Sequence, residues 1–225
     1  MATQVEPSTE PRVPLSRDRV LRAAIRLADD GGFEALTMRR LGQELGVQAM
    51  SLYNHVANKD DIRDGIVEIV MAEIEVPSTE AVDWKAAIRS SAISAYEVFM
   101  RHRWACSLQM EAGQVGPARL AWMEGVLRTF REAGFSAEQT HHAYHAVESH
   151  ISGFTLWLVS MPFETHEELV DLAEDFLRDF PKDDYPYFVE HAEWHLRPPS
   201  ADDQGEFAFG LDLILDGLER IRDAT

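Results

Sequence analysis

The sequence predicts an all-α protein in two parts, an N-terminal three-helix unit and a larger C-terminal helical domain. Three observations predict it. Period-two alternation is absent, and apolar spacings of three and four recur from end to end. Capping residues, glycines and prolines punctuate these stretches at helix-length intervals. Charge is also divided: residues 12–59 hold eight Lys or Arg against five Asp or Glu, whereas residues 60–225 hold 13 basic against 32 acidic.

The elements follow in order. Residues 1–14, with three prolines and few apolar residues, read as a disordered tail. Ser16 is a capping type, and the helix after it buries Val20, Leu21, Ala24, Ile25, Leu27 and Ala28 before Gly31-Gly32 ends it. Thr37 caps a second helix, whose inner face is Met38, Leu41 and Leu45. Gly46 interrupts, and a third helix is expected over 48–56. Asn58 opens a longer helix to about Ile74, and Pro77 closes it. Further helices are expected over 83–104, 117–133, 137–161, 166–180 and 204–222. Gly134 ends one of these, and Ser136 with Gln139 forms a capping-box pattern for the next. Pro162, Pro181, Pro186 and Pro198-Pro199 read as breaks. The boundaries drawn are 1–14, 15–76 and 77–225.

Composition excludes several classes. With 225 residues, 45% of them hydrophobic, the chain can bury a core without staples. The single cysteine, Cys106, permits no intrachain disulfide. No basic start is followed by an apolar run, so no signal peptide is expected, and no apolar stretch is long enough to span a bilayer. A cytoplasmic location without membrane partners follows as the expectation. The net charge of −18 taken alone opposes nucleic acid, but the mildly basic head is set apart from the acidic remainder.

The stretch Leu36–Val56 has the mechanics of two short helices crossing steeply. Gly46 can supply a left-handed turn, and Gly42, lacking a side chain, lets the second helix come close. Leu41, Leu45, Val47 and Leu52 would fill the core between them. The outer surface of the second helix then presents Gln48, Ala49, Met50, Ser51, Tyr53, Asn54 and His55. Such compact or polar side chains suit base edges and thymine methyl groups in a major groove. Thr37, Arg39, Arg40, Tyr53, His55 and Lys59 are placed to meet phosphates, which orient a protein on DNA without specifying sequence.

The segment from Arg17 to Ile74 resembles the helix-turn-helix DNA-binding domain of the TetR family of transcriptional repressors. The carriers are Leu36-Thr37, Leu41-Gly42, Leu45-Gly46-Val47, Leu52-Tyr53-Asn54-His55-Val56 and Asn58-Lys59-Asp60-Asp61-Ile62. The resemblance implies phosphate contacts for Thr37, Tyr53, His55 and Lys59. Family members more often carry alanine where Gly42 stands. Residues 83–222 resemble, more weakly, the regulatory domain of the tetracycline-repressor-like branch, most clearly over Phe207–Glu219. The resemblance implies a homodimer that leaves a DNA operator when a small molecule enters this domain.

The residues of the larger domain add their own pointers. Ala146, Ser149 and Gly153 on one helix and Gly210, Ile214 and Gly217 on the last are suited to close helix approach, and a four-helix dimer interface is expected there. Met100, Trp104, Met110, Trp122, Met123, Phe130, Phe154 and Trp157 are large, soft side chains that suit an adaptable cavity, with His102, His145, Glu148 and Thr155 as polar fixing points. His141/His145 and His191/His195 have the spacing of chelating pairs, but no complete ligand set is visible, so neither a metal nor a cofactor is expected. Residues 164–193 hold eleven acids and two bases, a surface that repels phosphate.

The leading function is therefore a ligand-responsive repressor bound to a near-palindromic operator. The alternative from another class is a metal- or histidine-dependent enzyme on the C-terminal helices, although no nucleophile motif or phosphate-binding glycine loop is present. An activator or architectural DNA-binding protein would show the same sequence features.

Overall fold

The computed structural model describes residues 14–78, 83–111, 115–163, 165–197 and 205–224, with the backbone alone at His195. The expected tail over 1–14 and the break at Pro198-Pro199 lie largely outside these residues. Eleven α-helices and one 3-10 turn, with no strand, occur among the described residues. They are α1 (Arg17–Gly31), the 3-10 turn Phe33–Ala35, α2 (Met38–Leu45), α3 (Ala49–Leu52), α4 (Lys59–Met71) and α5 (Trp84–Arg101). Then come α6 (Ala105–Glu111), α7 (Pro117–Glu132), α8 (Ala137–Val159), α9 (His166–Arg178), α10 (Pro186–His195) and α11 (Gly205–Asp223).

The chain divides into two compact units, Met1–Glu75 with Glu97–Glu124, and Val76–Tyr96 with Gly125–Thr225. Helices α5 and α7 each contribute one end to either unit.

Local chemistry explains the first unit. Ser16, Thr37 and Asn58 sit in extended backbone, and each side chain accepts the N–H three residues on. Gly32 (φ 75°) and Gly46 (φ 67°) end α1 and α2 in backbone that L-residues avoid. Val20, Ala23, Ala24 and Ala28 of α1, Leu41 of α2, Leu52 of α3 and Ile62, Ile66 and Val70 of α4 are almost fully buried and form one core.

In the second unit, Trp84, Phe130 and Phe135 form a ring cluster with centroids 5.1–5.9 Å apart. Ser136 and Gln139 complete the capping box of α8. Helices α8 and α11 pack against each other, with Tyr144, Val147 and Ile151 facing Leu211, Leu215 and Leu218 among the buried residues. Lys85 on α5 bridges Asp216 at 2.6 Å and Glu219 at 2.8 Å on α11, and these carboxylates push its pKa up to about 12.

Several expected boundaries move. The third helix covers 49–52 rather than 48–56, because the N–H of His55 bonds the carbonyl of Leu52 and tightens the chain into turns before Asn58. The helix expected to Ile74 stops at Met71, and the one expected to Trp104 stops at Arg101. Helices α6 and α10 were not foreseen. Pro186, expected to be a break, instead begins α10, where its missing N–H would have had no helical partner.

Candidate nucleic-acid interface and the larger domain

The first unit builds a small reading surface from the turn between α2 and α3. A Cβ on Gly42 would lie 2.9 Å from the Val47 carbonyl oxygen and 3.2 Å from the Ala49 nitrogen. The bare glycine thus lets the start of α3 seat directly on α2. Gly42 also accepts the N–H of Val47 at 2.9 Å, and Gly46 closes the turn.

That seating fixes which way α3 faces. Leu52 and Val56 are buried, so the opposite face is turned outward. Gln48, Met50, Tyr53 and Asn54 are exposed, while Ala49, Ser51 and His55 are half-buried. Met50 is 74% exposed and Tyr53 47%. Between Glu44 and Asp60 there is no Asp or Glu, in a chain that holds 39 of them. A phosphate-lined partner would meet no carboxylate along this stretch of the chain.

The flanking residues are held by their neighbours. Thr37 caps α2 through its Oγ1, leaving its hydroxyl hydrogen outside the cap. Arg39 is exposed. Arg40 donates to the Ala35 carbonyl at 3.0 Å. Lys59 lies 4.6 Å from the centre of the Phe33 ring and 3.8 Å from Glu34. Helix α1 is fastened to α4 by a two-bond pair from Arg17 to Asp61 at 2.7 and 2.8 Å. Asp61 also accepts the Ala57 N–H at 2.8 Å. First the Arg17 hydrogen bond and then the Ala57 N–H hold its carboxyl below the usual carboxylate range.

The same unit contains the segment Glu97–Glu124, gripped by three carboxylates. Asp29 at the end of α1 faces both His102 Nδ1 at 2.8 Å and Trp104 Nε1 at 2.7 Å through one oxygen. Glu73, after α4, accepts from Arg101 at 2.8 Å and lies 3.6 Å from His102 Nε2. Glu68 of α4 accepts the Ala118 N–H at 2.7 Å, capping the first turn of α7. Sequence reasoning placed His102 and Trp104 at a ligand cavity. Both are buried, with the Trp104 indole N–H and His102 Nδ1 committed to Asp29 and His102 Nε2 turned toward Glu73. Trp122 is buried, Met100 is half-buried and Met110 is 59% exposed.

In the second unit the rings gather around Phe154. Tyr96 stacks on Phe207 at 4.3 Å and 10°, and Phe154 meets Tyr96, Phe207 and Trp157 at 5.5–5.9 Å. Burial is the larger cause and Glu206 the smaller of a raised Tyr96 pKa. Phe130 belongs to the Trp84 cluster, and the Thr155 hydroxyl is spent on the Ile151 carbonyl at 2.7 Å. His145 is exposed, with Nδ1 3.8 Å from Glu148. His141 and His145 have ring centres 4.7 Å apart, but no group of three His, Cys, Asp or Glu is placed to hold a metal among the described residues.

The expected dimer residues divide between the two faces of α8 and α11. Ser149 and Gly153 are exposed, Ala146, Ile214 and Gly217 are half-buried, and a Cβ on Gly153 or Gly217 would meet open space. Gly210 faces inward: its Cβ would lie 2.6 Å from His150 Cε1 of the same chain. Phe209 and Leu213, four apart on α11 and outside the expected set, are 68% and 56% exposed. Helices α9 and α10, rich in acids, meet through Phe176, Phe180, Tyr185 and Phe188, while Tyr187 is exposed and the Arg197 guanidinium lies 4.0 Å from the centre of the Trp194 ring.

A small head that turns a carboxylate-free helix outward, joined to a larger all-helical domain, defines the class of helix-turn-helix transcriptional regulators. Comparison with known proteins agrees. Residues 20–66 match the family described as bacterial regulatory proteins, tetR family, and residues 76–222 match the tetracyclin repressor-like C-terminal domain. The chain belongs to the TetR family. It is 30% identical over 226 residues to the HTH-type transcriptional repressor DrrR1 of Streptomyces coeruleorubidus, covering 95% of this chain and 80% of that one. It is also 30% identical to the tetracycline repressor protein class C of Escherichia coli, covering 94% of both. Among solved structures, the TetR family protein ActR of Streptomyces coelicolor in complex with actinorhodin is 29% identical with a TM-score of 0.72, covering 92% of this chain and 96% of that one.

Proposed function

We propose that this chain is a ligand-responsive transcriptional repressor that binds a near-palindromic operator as a homodimer and leaves it when a small molecule binds. The observation that carries the reading is the outward row Gln48, Met50, Tyr53 and Asn54, in the acid-free stretch between Glu44 and Asp60, with Thr37, Arg39, Arg40, His55 and Lys59 beside it. In the dimer, two such rows enter successive major grooves about one helical turn apart. Domain limits of 15–76 and 77–225 go with this division of labour, and the regulator works in the cytoplasm beside the chromosome.

Dimerisation is proposed through the outer faces of α8 and α11, with Ala146, Ser149 and Gly153 against Phe209, Leu213, Ile214 and Gly217 of a second copy. Effector contact is proposed at Phe154 and Trp157; His145 and Glu148, more than one turn nearer the start of α8, are separate polar candidates for substitution. Met100, Met110 and Trp122 are further candidates for substitution. Tetracycline and actinorhodin, named with the relatives, are the first compounds to screen. The enzyme alternative draws no support from the relatives, and among the described residues no group of three His, Cys, Asp or Glu is placed to hold a metal.

The test is binding of the purified chain to DNA from upstream of its own gene, at two salt concentrations and against scrambled duplex. Tight, selective and salt-sensitive binding that a compound reverses supports the reading. Equal affinity for scrambled duplex, together with no enriched sequence from a randomised pool, overturns it.

A further inference from the structure

We infer that Met50 is a specificity residue, and that each operator half-site contains a thymine whose 5-methyl group packs against its side chain. The inference rests on the repressor reading and deepens it by naming a base. Met50 is the one large aliphatic side chain among the outward residues of the α3 turn, and it is 74% exposed. Its neighbours on that surface, Gln48, Ser51, Tyr53 and Asn54, all carry hydrogen-bonding groups. Leu52 and Val56 already fill the core side, so Met50 contributes little to the fold.

The chemistry selects the base. In the major groove, adenine, guanine and unmodified cytosine offer only nitrogen, oxygen and ring edges, while thymine alone adds a methyl group. An unbranched thioether has no hydrogen bond to give a polar edge. It fits an irregular apolar surface well, because its three side-chain torsions adapt. A polar base edge beneath Met50 would lose water without gaining a partner, which disfavours the other bases at that position. Gln48 and Asn54 beside it can then read neighbouring edges by hydrogen bonding.

The experiment uses the full chain. Selection from randomised duplexes defines the half-site. Each of its thymines is then replaced singly by deoxyuridine, which removes one methyl group and keeps the pairing. The expected result is one position where the replacement weakens binding by about fourfold, the value of one buried methyl group. Replacing it in both half-sites gives about 16-fold if the two act independently. Met50→Ala abolishes this sensitivity, and Met50→Leu keeps it. Unchanged thermal melting of both variants shows that the head remains folded. Deoxyuridine losses equal in wild type and Met50→Ala at every thymine, or a half-site without thymine, overturn the inference while leaving the repressor standing. A pool that enriches no sequence overturns both.

Discussion

Asp29 offers a quantitative test of how the head grips the Glu97–Glu124 segment. One carboxylate oxygen faces the Trp104 indole N–H at 2.7 Å and His102 Nδ1 at 2.8 Å, and both rings are buried. Asp29→Ala strands the indole N–H, which has no second atom to offer. A buried donor left unpaired costs roughly 1–3 kcal/mol. The imidazole loses less, because Glu73 lies 3.6 Å from its other nitrogen. The expected loss is therefore about 2–3 kcal/mol in total, and about 1 kcal/mol for Asp29→Asn, which keeps an acceptor but loses the charge. Urea unfolding of the full chain, followed by helical circular dichroism, reads it. In a Trp104→Phe background the Asp29→Ala cost shrinks by about 1 kcal/mol, since the donor is already gone. An Asp29→Ala protein within about 0.5 kcal/mol of wild type, or a cost unchanged in the Phe background, refutes the shared-acceptor argument.

The packing and charge pairs of the helices lead to further outcomes. Gly42→Ala gains about 1 kcal/mol of helix propensity. It also forces a Cβ to 2.9 Å from backbone oxygen, and overpacking of that kind costs about 1–3 kcal/mol. A lowered melting temperature and weakened operator binding are expected, and a raised melting temperature contradicts the close seating. Because the Asp61 pKa is lowered, its contribution is complete above the unfolded value of about 3.9 and is lost as pH falls through the lower folded one. Asp61→Asn should therefore flatten the acid limb of a stability–pH curve, and coincident limbs would contradict the Arg17–Asp61 fastening. Leu213→Glu places a charge on the outer face of α11 and should give a monomeric mass by sedimentation at micromolar concentration with the helical content kept; an intact dimer removes α11 from the interface.

Local devices were the legible part of the sequence. Ser16, Thr37, Asn58 and Ser136 announced helix starts because a short polar side chain reaches only its own neighbouring N–H groups. Gly32, Gly46 and Gly134 announced ends, because all three have positive φ. Helices α6 and α10 escaped for lack of such signals: α6 has only seven residues, and Pro186 is ambiguous between break and first turn. The outward row on α3 was legible from the spacing of Leu52 and Val56. The role of His102 and Trp104 was not, because their partner Asp29 lies more than seventy positions away and no periodicity encodes it. Gly210 looked like a contact for a second chain, and only the packed helices reveal the His150 ring that fills its notch.

The exposed apolar outer face of α11 would tie the regulator's dose to its survival. Phe209 and Leu213 are the kind of surface that chaperones and proteases recognise on a chain standing alone. If a second copy covers that face, a newly made chain is safe only once it has met another. Operator occupancy and protein lifetime then rise together with expression. Below some number of copies per cell the repressor fades faster than dilution alone would remove it. A gene under its control would switch on sharply as synthesis slows, even with no effector present.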